Sequence, residues 1–374
     1  MRLNRSIGAT LMAFALLLHT CVCGAESEHK TRHVIFVMTD GLRWQEVFRG
    51  AELDIMNEKR GGVADVSALK RAYWRETPEA SREALLPFLW TVVARQGQIY
   101  GNRDKQSDAF VTNGKFFSYP GYNETLCGVP DPRIDSNGEV LNPNVTVLEW
   151  LNRKPDFNGK VAAFGAWYLF PWIFNAPRAG FPVNAGWDTF TAMEPTPALT
   201  LLNQLKRETP HVWEDEVFDV LTFHTALEYL KQKKPAVLYI SFGETDSWAH
   251  ARDYRNYLDA AHRVDGYLRV LWETIQSMPE YRDTTTLIFS PDHGRGNGPS
   301  RWTNHGGDTP ESKYIWLSVM GPDTKALGER AHVDPVGQNQ IAATLAALLG
   351  QDYLAEVPEA GTPVADILAD LSSQ

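Results

Sequence analysis

Four short stretches of this chain carry side chains that can bind a cation or move a proton. Asp40 ends the apolar run His33–Thr39. Gly243-Glu244-Thr245-Asp246 ends a second run, and His250 follows Asp246 at i+4. Pro291-Asp292-His293-Gly294 ends a third, and Asn304-His305-Gly306-Gly307 adds another imidazole. Singly, each has an ordinary reading. An Asp after a strand caps a helix or shapes a turn, Asp292-His293 can be a plain turn, and His305 can be solvated. Asp246 and His250 share a helix face at their spacing. As a set, three carboxylates and three imidazoles delivered by strand ends make a metal-ligating constellation. Mixed Asp/His ligation suits Zn2+ or Mn2+ much better than Ca2+ or Mg2+. Six such residues suffice for two ions if a further atom bridges them.

These residues need a scaffold that brings strand ends together. The runs His33–Thr39, Lys160–Ala166, Ala236–Phe242, Thr285–Ser290 and Tyr314–Met320 are short and apolar and end at turn residues. That pattern fits strands buried on both faces. Between them, Leu85–Gln96, Val145–Leu151, Pro197–Leu205, Val217–Lys231, Ala251–Ser277 and Gln338–Leu349 have helical spacing of apolar residues. The alternation predicts an α/β three-layer sandwich, a mainly parallel central sheet with helices on both faces. In such sheets ligands gather at the carboxyl ends of the strands, where the Asp and His residues stand. Residues 49–110 and 166–215 read as loop-rich cap insertions in a single catalytic domain spanning 26–374.

Composition sets limits on function. The chain has 374 residues, 43% of them hydrophobic, with 12 Trp, 17 Phe and 13 Tyr. So large an apolar content excludes general disorder. The formal charge of −10 speaks against a nucleic-acid polymer as partner, because tracking phosphates needs a basic face.

Residues 1–25 read as a secretory signal peptide, with a short membrane anchor or a lipoprotein leader acylated at Cys21 or Cys23 as the other readings. Arg2 and Arg5 precede the apolar stretch Ile7–Leu18, which is too short to span a bilayer, and Cys23-Gly24-Ala25 offers small residues for cleavage. The expectation is an exported protein, periplasmic or secreted, with no stable membrane span. Cleavage would remove two arginines and no acid, moving the charge from −10 to −12. It would leave Cys127 as the one cysteine, which reads as a small buried hydrophobe. Asn123-Glu124-Thr125 and Asn144-Val145-Thr146 match glycosylation sequons.

In this order the motifs resemble the alkaline phosphatase superfamily, in particular its nucleotide pyrophosphatase/phosphodiesterase-like branch. The resemblance runs from about Val34 to Gly306. It implies that Asp246, His250 and His305 hold one divalent ion. It implies that Asp40, Asp292 and His293 hold the other, together with the oxygen of a nucleophilic hydroxyl. The family's nucleophile turn has the form T-F-P-N-H-Y-x-x-x-x-G. Ser118-Tyr119-Pro120-Gly121-Tyr122-Asn123-Glu124-Thr125-Leu126-Cys127-Gly128 matches its hydroxyl, aromatic, Pro and closing Gly. Ser118 is therefore the expected nucleophile, with Thr112 as runner-up, although a plain helix-capping role would also suit Ser118. The family's phosphate-binding Asn maps to Asn137. Lys115, Arg178 and Arg43 are further candidate anion contacts. The Trp167–Trp172 segment could stack an aromatic leaving group, or be core.

The resemblance implies a phosphoric-ester hydrolase, monoester or diester, with two ions, Zn2+ or alternatively Mn2+. It implies a covalent phosphoserine intermediate on Ser118 and a small phosphate ester as substrate. It does not define an oligomeric state. Three rivals stand beside it. A sulfatase uses C/S-x-P-x-R, and here Tyr122 occupies the Arg position. A phosphomutase is usually cytoplasmic, which the leader opposes. A metal-stabilised binding protein would use the ligands without Ser118.

Overall fold

The computed structural model describes residues 29–368; the expected leader and Cys21 and Cys23 lie outside them. The described residues hold eleven strands: β1 (His33–Thr39), β2 (Gln98–Tyr100), β3 (Ala109–Phe110), β4 (Val161–Gly165), β5 (Val183–Ala185), β6 (Val237–Phe242), β7 (Thr285–Pro291), β8 (Tyr314–Ile315), β9 (Leu317–Met320), β10 (Gly328–Glu329) and β11 (Val336–Gly337). Eight form the central sheet in the order β10-β2-β9-β7-β1-β6-β4-β5, and β11-β3-β8 make a small second sheet. In the central sheet only β9 runs antiparallel to its neighbours, β7 and β2.

Alternation along the strands explains the three layers. From β1, Ile35 and Val37 point into one core, while Val34, Phe36 and Met38 point into the other. β6 divides likewise, with Leu238 and Ile240 on one side and Val237 and Tyr239 on the other. The helices Asp219–Lys233 and Tyr254–Ser277 cover the first face, contributing Leu230, Leu258, Val264 and Leu268. The helices Ser118–Cys127, Val147–Asn152 and Ile341–Leu348 cover the second, contributing Leu126, Leu148 and Leu345. Two dry faces on one sheet favour apolar residues on both sides of each strand. This is the expected sandwich.

Several elements differ from their reading in the sequence. Tyr314–Met320 is two strands in different sheets, broken at Trp316, whose indole N–H donates to the Leu42 carbonyl at 3.0 Å. Leu85–Gln96 is not one helix. Pro87 stands after a helix that spans Pro78–Leu85, and a π-helical turn at Leu89–Val93 follows. The long helix starts at Tyr254, capped by Asp253, and not at Ala251. Residues 49–110 hold the helices Glu58–Gly61, Val66–Tyr73 and Pro78–Leu85 besides β2 and β3. Residues 166–215 include β5, which edges the main sheet. Cys127 is buried and free. Both sequon asparagines are tied inward: Asn144 Nδ2 donates to Asn123 Oδ1 at 3.0 Å, and Asn123 is fully buried. Among the described residues, no helix is long and apolar enough to cross a membrane.

Candidate metal centre

β1 lies between β7 and β6, with Thr39 level with Pro291 on one side and Phe242 on the other. The next residues of these three strands therefore emerge together. They are Asp40 after β1, Asp292-His293 after β7, and Gly243 after β6, which opens the helix Glu244–His250 carrying Asp246 and His250. The loop around His305 joins them through Phe116. The Phe116 carbonyl accepts from Gly306 N at 2.9 Å and faces His305 Nδ1 at 3.4 Å.

The side chains fall into two groups, Asp246/His250/His305 and Asp40/Asp292/His293; within each, potential ligand atoms lie within 4.8 Å of one another. In the first, His250 Nε2 is 3.1 Å from Asp246 Oδ2 and 3.0 Å from His305 Nε2. In the second, His293 Nε2 is 3.2 Å from Asp40 Oδ1 and 3.5 Å from Asp292 Oδ2. The groups adjoin, with His293 Nε2 4.0 Å from Asp246 Oδ1.

The donor set fits divalent ions on three observations. His293 Nδ1 donates to the Gly294 carbonyl at 2.8 Å, which turns Nε2 inward as the potential ligand atom once its proton is lost; His305 Nδ1 faces the Phe116 carbonyl in the same way. Asp40 uses Oδ2 to accept from Tyr122 at 3.0 Å, while its buried Oδ1 accepts no hydrogen bond and faces His293 Nε2. Asp292 uses Oδ1 to accept from Gly41 N and His293 N, at 3.0 and 2.9 Å, and its buried Oδ2 has no partner. Orphaned buried carboxylate oxygens are costly unless something cationic meets them. At metal sites, hydrogen bonds to the outer atom of a ligand fix its orientation in this way.

The electrostatics follow from crowding. Burial would lift Asp40, but His293, Arg295 and Tyr122 hold its carboxyl below the usual value. Burial and the Asp40 charge push Asp292 well above it. Burial opposes the His293 cation, yet Asp292 and Asp40 raise its pKa to about 9. Burial and the His293 charge depress His305 and His250.

Ser118 is the first residue of the helix Ser118–Cys127, and Phe117 is its cap, so Ser118 has no capping duty. Its Oγ lies 3.5 Å from His293 Nε2. Phe116, two residues earlier, is held at φ 56, a strained conformation for a bulky residue and one that recurs at functional turns. Gly121 lets the helix rest on the end of β7, where a Cβ would stand 2.4 Å from the Asp292 carbonyl oxygen. Asn137 Oδ1 accepts from Tyr119 N at 3.0 Å, which leaves its amide N–H groups as donors near the helix start.

Other candidates lie elsewhere. Thr112 is committed to Glu124, which accepts from its N–H and its hydroxyl at 2.9 and 2.8 Å. Arg178 pairs with Glu149 at 2.7 Å. Arg43 is buried against Glu46 and Glu52. Lys115 sits on the loop before Ser118, and its backbone N–H donates to Asn113 Oδ1. In the Trp167–Trp172 segment Leu169 and Phe170 are core, while Trp167, Tyr168 and Trp172 stay half-exposed.

Two residues escaped the sequence reading. Arg295 is buried and donates through Nη2 to Asp246 Oδ1 and through Nη1 to the Thr303 carbonyl. It needs Gly41 beside it, since a Cβ there would lie 2.8 Å from Arg295 Nε. Tyr122 holds Asp40. The position of Arg295, just after Asp292-His293-Gly294, was the available signal for the first. For Tyr122 there was only its register in the nucleophile turn.

A parallel sheet with Asp and His at three adjacent carboxyl ends, beside a serine at a helix start, defines the alkaline phosphatase superfamily fold. Among solved structures, alkaline phosphatase PafA aligns with TM-score 0.58 and 11% identity over 90% of this chain and 99% of its own. Lipoteichoic acid synthase LtaP from Listeria monocytogenes aligns with TM-score 0.56 and 12% identity, over 92% and 76%. The 2-O GAG sulfatase BT1596 aligns with TM-score 0.54 and 13% identity, over 92% and 75%. Among curated proteins none matches the sequence. Within the superfamily, the chain belongs to the type I phosphodiesterase / nucleotide pyrophosphatase family, whose pattern matches residues 53–345. That span includes Ser118 and every candidate ligand except Asp40.

Proposed function

We propose that this chain is an exported phosphoric-ester hydrolase that uses two divalent ions and a covalent intermediate on Ser118. Family membership supports a hydrolase. The observation that carries the finer reading is the juxtaposition of Ser118 Oγ with His293 at 3.5 Å, beside two orphaned carboxylate oxygens. Bound zinc or manganese would supply Lewis-acid stabilisation of the attacking and leaving oxygens. Asp40, Asp292 and His293 would hold one ion with Ser118, and Asp246, His250 and His305 the other.

The protein's own residues do the rest. Ser118 Oγ releases its proton to solvent as it forms the new bond to phosphorus, and the ester oxygen departs with the electrons of the broken P–O bond and takes up a proton from solvent. The oxygen of a water molecule then bonds phosphorus, the Ser118–phosphorus bond breaks, and a proton from that water restores the Ser118 hydroxyl. Asn137 is oriented by Tyr119 N to donate to a phosphoryl oxygen, and the helix start favours negative charge there. The basic, apolar and small-residue pattern of residues 1–25 supports export.

The test compares kcat/KM for an aryl phosphate monoester, the matching diester and the matching sulfate, with Ser118→Ala beside the zinc-loaded parent. We expect a phosphorus ester to be fastest and Ser118→Ala to lose at least about a thousandfold. Sulfate turning over fastest, or full activity in Ser118→Ala, overturns the reading.

A further inference from the structure

We propose that Tyr122 is a positioning residue that restricts Asp40 to one inward-facing oxygen and ties that ligand to the helix carrying Ser118. The inference rests on the metal-centre reading above. Tyr122 lies one helical turn after Ser118 and is 1% exposed. Its hydroxyl accepts from Ser241 Oγ at 3.0 Å and donates to Asp40 Oδ2 at 3.0 Å. A phenol has a single proton to give, so with Ser241 donating, that proton is directed at Asp40. The ring is pinned by Phe170, edge-on with centroids 4.9 Å apart, and by Trp167 at 6.5 Å. The hydroxyl therefore has little freedom to leave its partner.

The two carboxylates of this group are held differently. Asp292 is gripped by backbone N–H groups, those of Gly41 and of the adjoining His293. Asp40 is gripped by a side chain, and that side chain belongs to the nucleophile's own helix. A displacement of the helix is therefore transmitted to Asp40. Without the phenol, Asp40 Oδ2 and Ser241 Oγ would both lose a buried partner. The carboxylate could then rotate, so the ion site would lose its preformed geometry. Outer contacts of this kind are worth about ten- to a hundredfold in metal affinity.

The experiment uses the purified full chain and Tyr122→Phe, with zinc affinity read by competition with a chromophoric chelator. Thermal midpoints with and without zinc, and kcat and KM, are measured in parallel. The expected result is about ten- to a hundredfold weaker zinc binding and a smaller zinc-induced rise in midpoint. The zinc-free midpoint should move less, and kcat should fall more than KM changes. A purely structural tyrosine would lower both midpoints equally and leave zinc affinity alone. Folded Tyr122→Phe that binds zinc within twofold of wild type overturns the proposal. Should Tyr122→Phe not fold, Ser241→Ala takes its place; it is expected to weaken zinc binding several-fold, and unchanged affinity overturns the proposal. Wild type that neither binds zinc nor cleaves phosphoric esters sinks the parent reading and this one together. A loaded, active wild type beside an unaltered Tyr122→Phe sinks this one alone.

Discussion

Replacing Gly121 by Ala tests whether the nucleophile helix is seated where the chemistry needs it. An ideal Cβ at position 121 would lie 2.4 Å from the Asp292 carbonyl oxygen, 3.1 Å from its carbonyl carbon and 3.4 Å from its Cβ. Ordinary non-bonded separation is about 3.5 Å, so the helix and the end of β7 must part by about 1 Å. The obstacle is backbone at the end of a central strand, with no flexible tip to swing aside. Two stability effects oppose each other. Ala gains about 1 kcal/mol over Gly in a helix interior, and overpacking costs about 1–3 kcal/mol. The balance is a loss of about 0–2 kcal/mol, small enough for the protein to stay folded. Activity should suffer more, because Ser118 is on the same helix one turn away and Asp292 is on the other side of the gap. A misplacement of about 1 Å costs about a hundredfold. The assay is kcat/KM on an aryl phosphate, with urea unfolding alongside. A variant that is more stable by about 1 kcal/mol, the full helix-propensity gain, and as active as wild type would refute the reasoning. The helix would then not rest on Asp292.

Two further outcomes are expected. Because the metal-free His293 holds its proton up to a pKa of about 9, an incoming ion must displace it, so zinc affinity should rise with pH up to about that value. Calorimetry in buffers of different ionisation heat should detect the released proton, stripping the ions should abolish turnover until Zn2+ or Mn2+ is returned, and a pH-independent affinity would contradict the site. Burial lifts Glu124 to about 7, against the pull of its Thr112 and Asn113 donors. The folded state then keeps a proton that the unfolded chain releases near pH 4–5, so stability should fall as pH rises from about 4.5 to 7. Urea midpoints should show that slope in wild type and a flatter one in Glu124→Gln; equal slopes would count against it.

The sheet centre was legible because β1, β6 and β7 are buried on both faces and so read as unbroken apolar runs. The six candidate ligands were legible because they stand directly after those runs, on the short helix that follows β6, or in a short glycine-bounded loop. What could not be read depends on distant partners. The break at Trp316 is not local: its indole reaches the Leu42 carbonyl, 274 residues away in sequence. Strand β2 and the edge strand β10, with three and two residues, are too short to show a period. Thr112 and Ser118 were distinguishable only by the register of the following turn. It takes the Glu124 carboxylate to show that Thr112 is already engaged. Tyr122 and Arg295 act through carboxylates that come from other strands.

The placement of β1 between β6 and β7 also constrains when the centre can form. Gly41 N and Asp292 Oδ1 meet across 251 residues of sequence, and Ser118 and His293 across 175. During synthesis, β1 emerges early and waits unpaired on both sides. Neither ligand group is complete until β7 and the His305 loop have been made. Such distant pairings make folding slow, because the closure entropy is spent before the contacts form. Any ion held at this centre would therefore bind a nearly finished fold and could not nucleate it. A nascent chain stopped before Asp292 would present the serine helix without the strand end on which it rests.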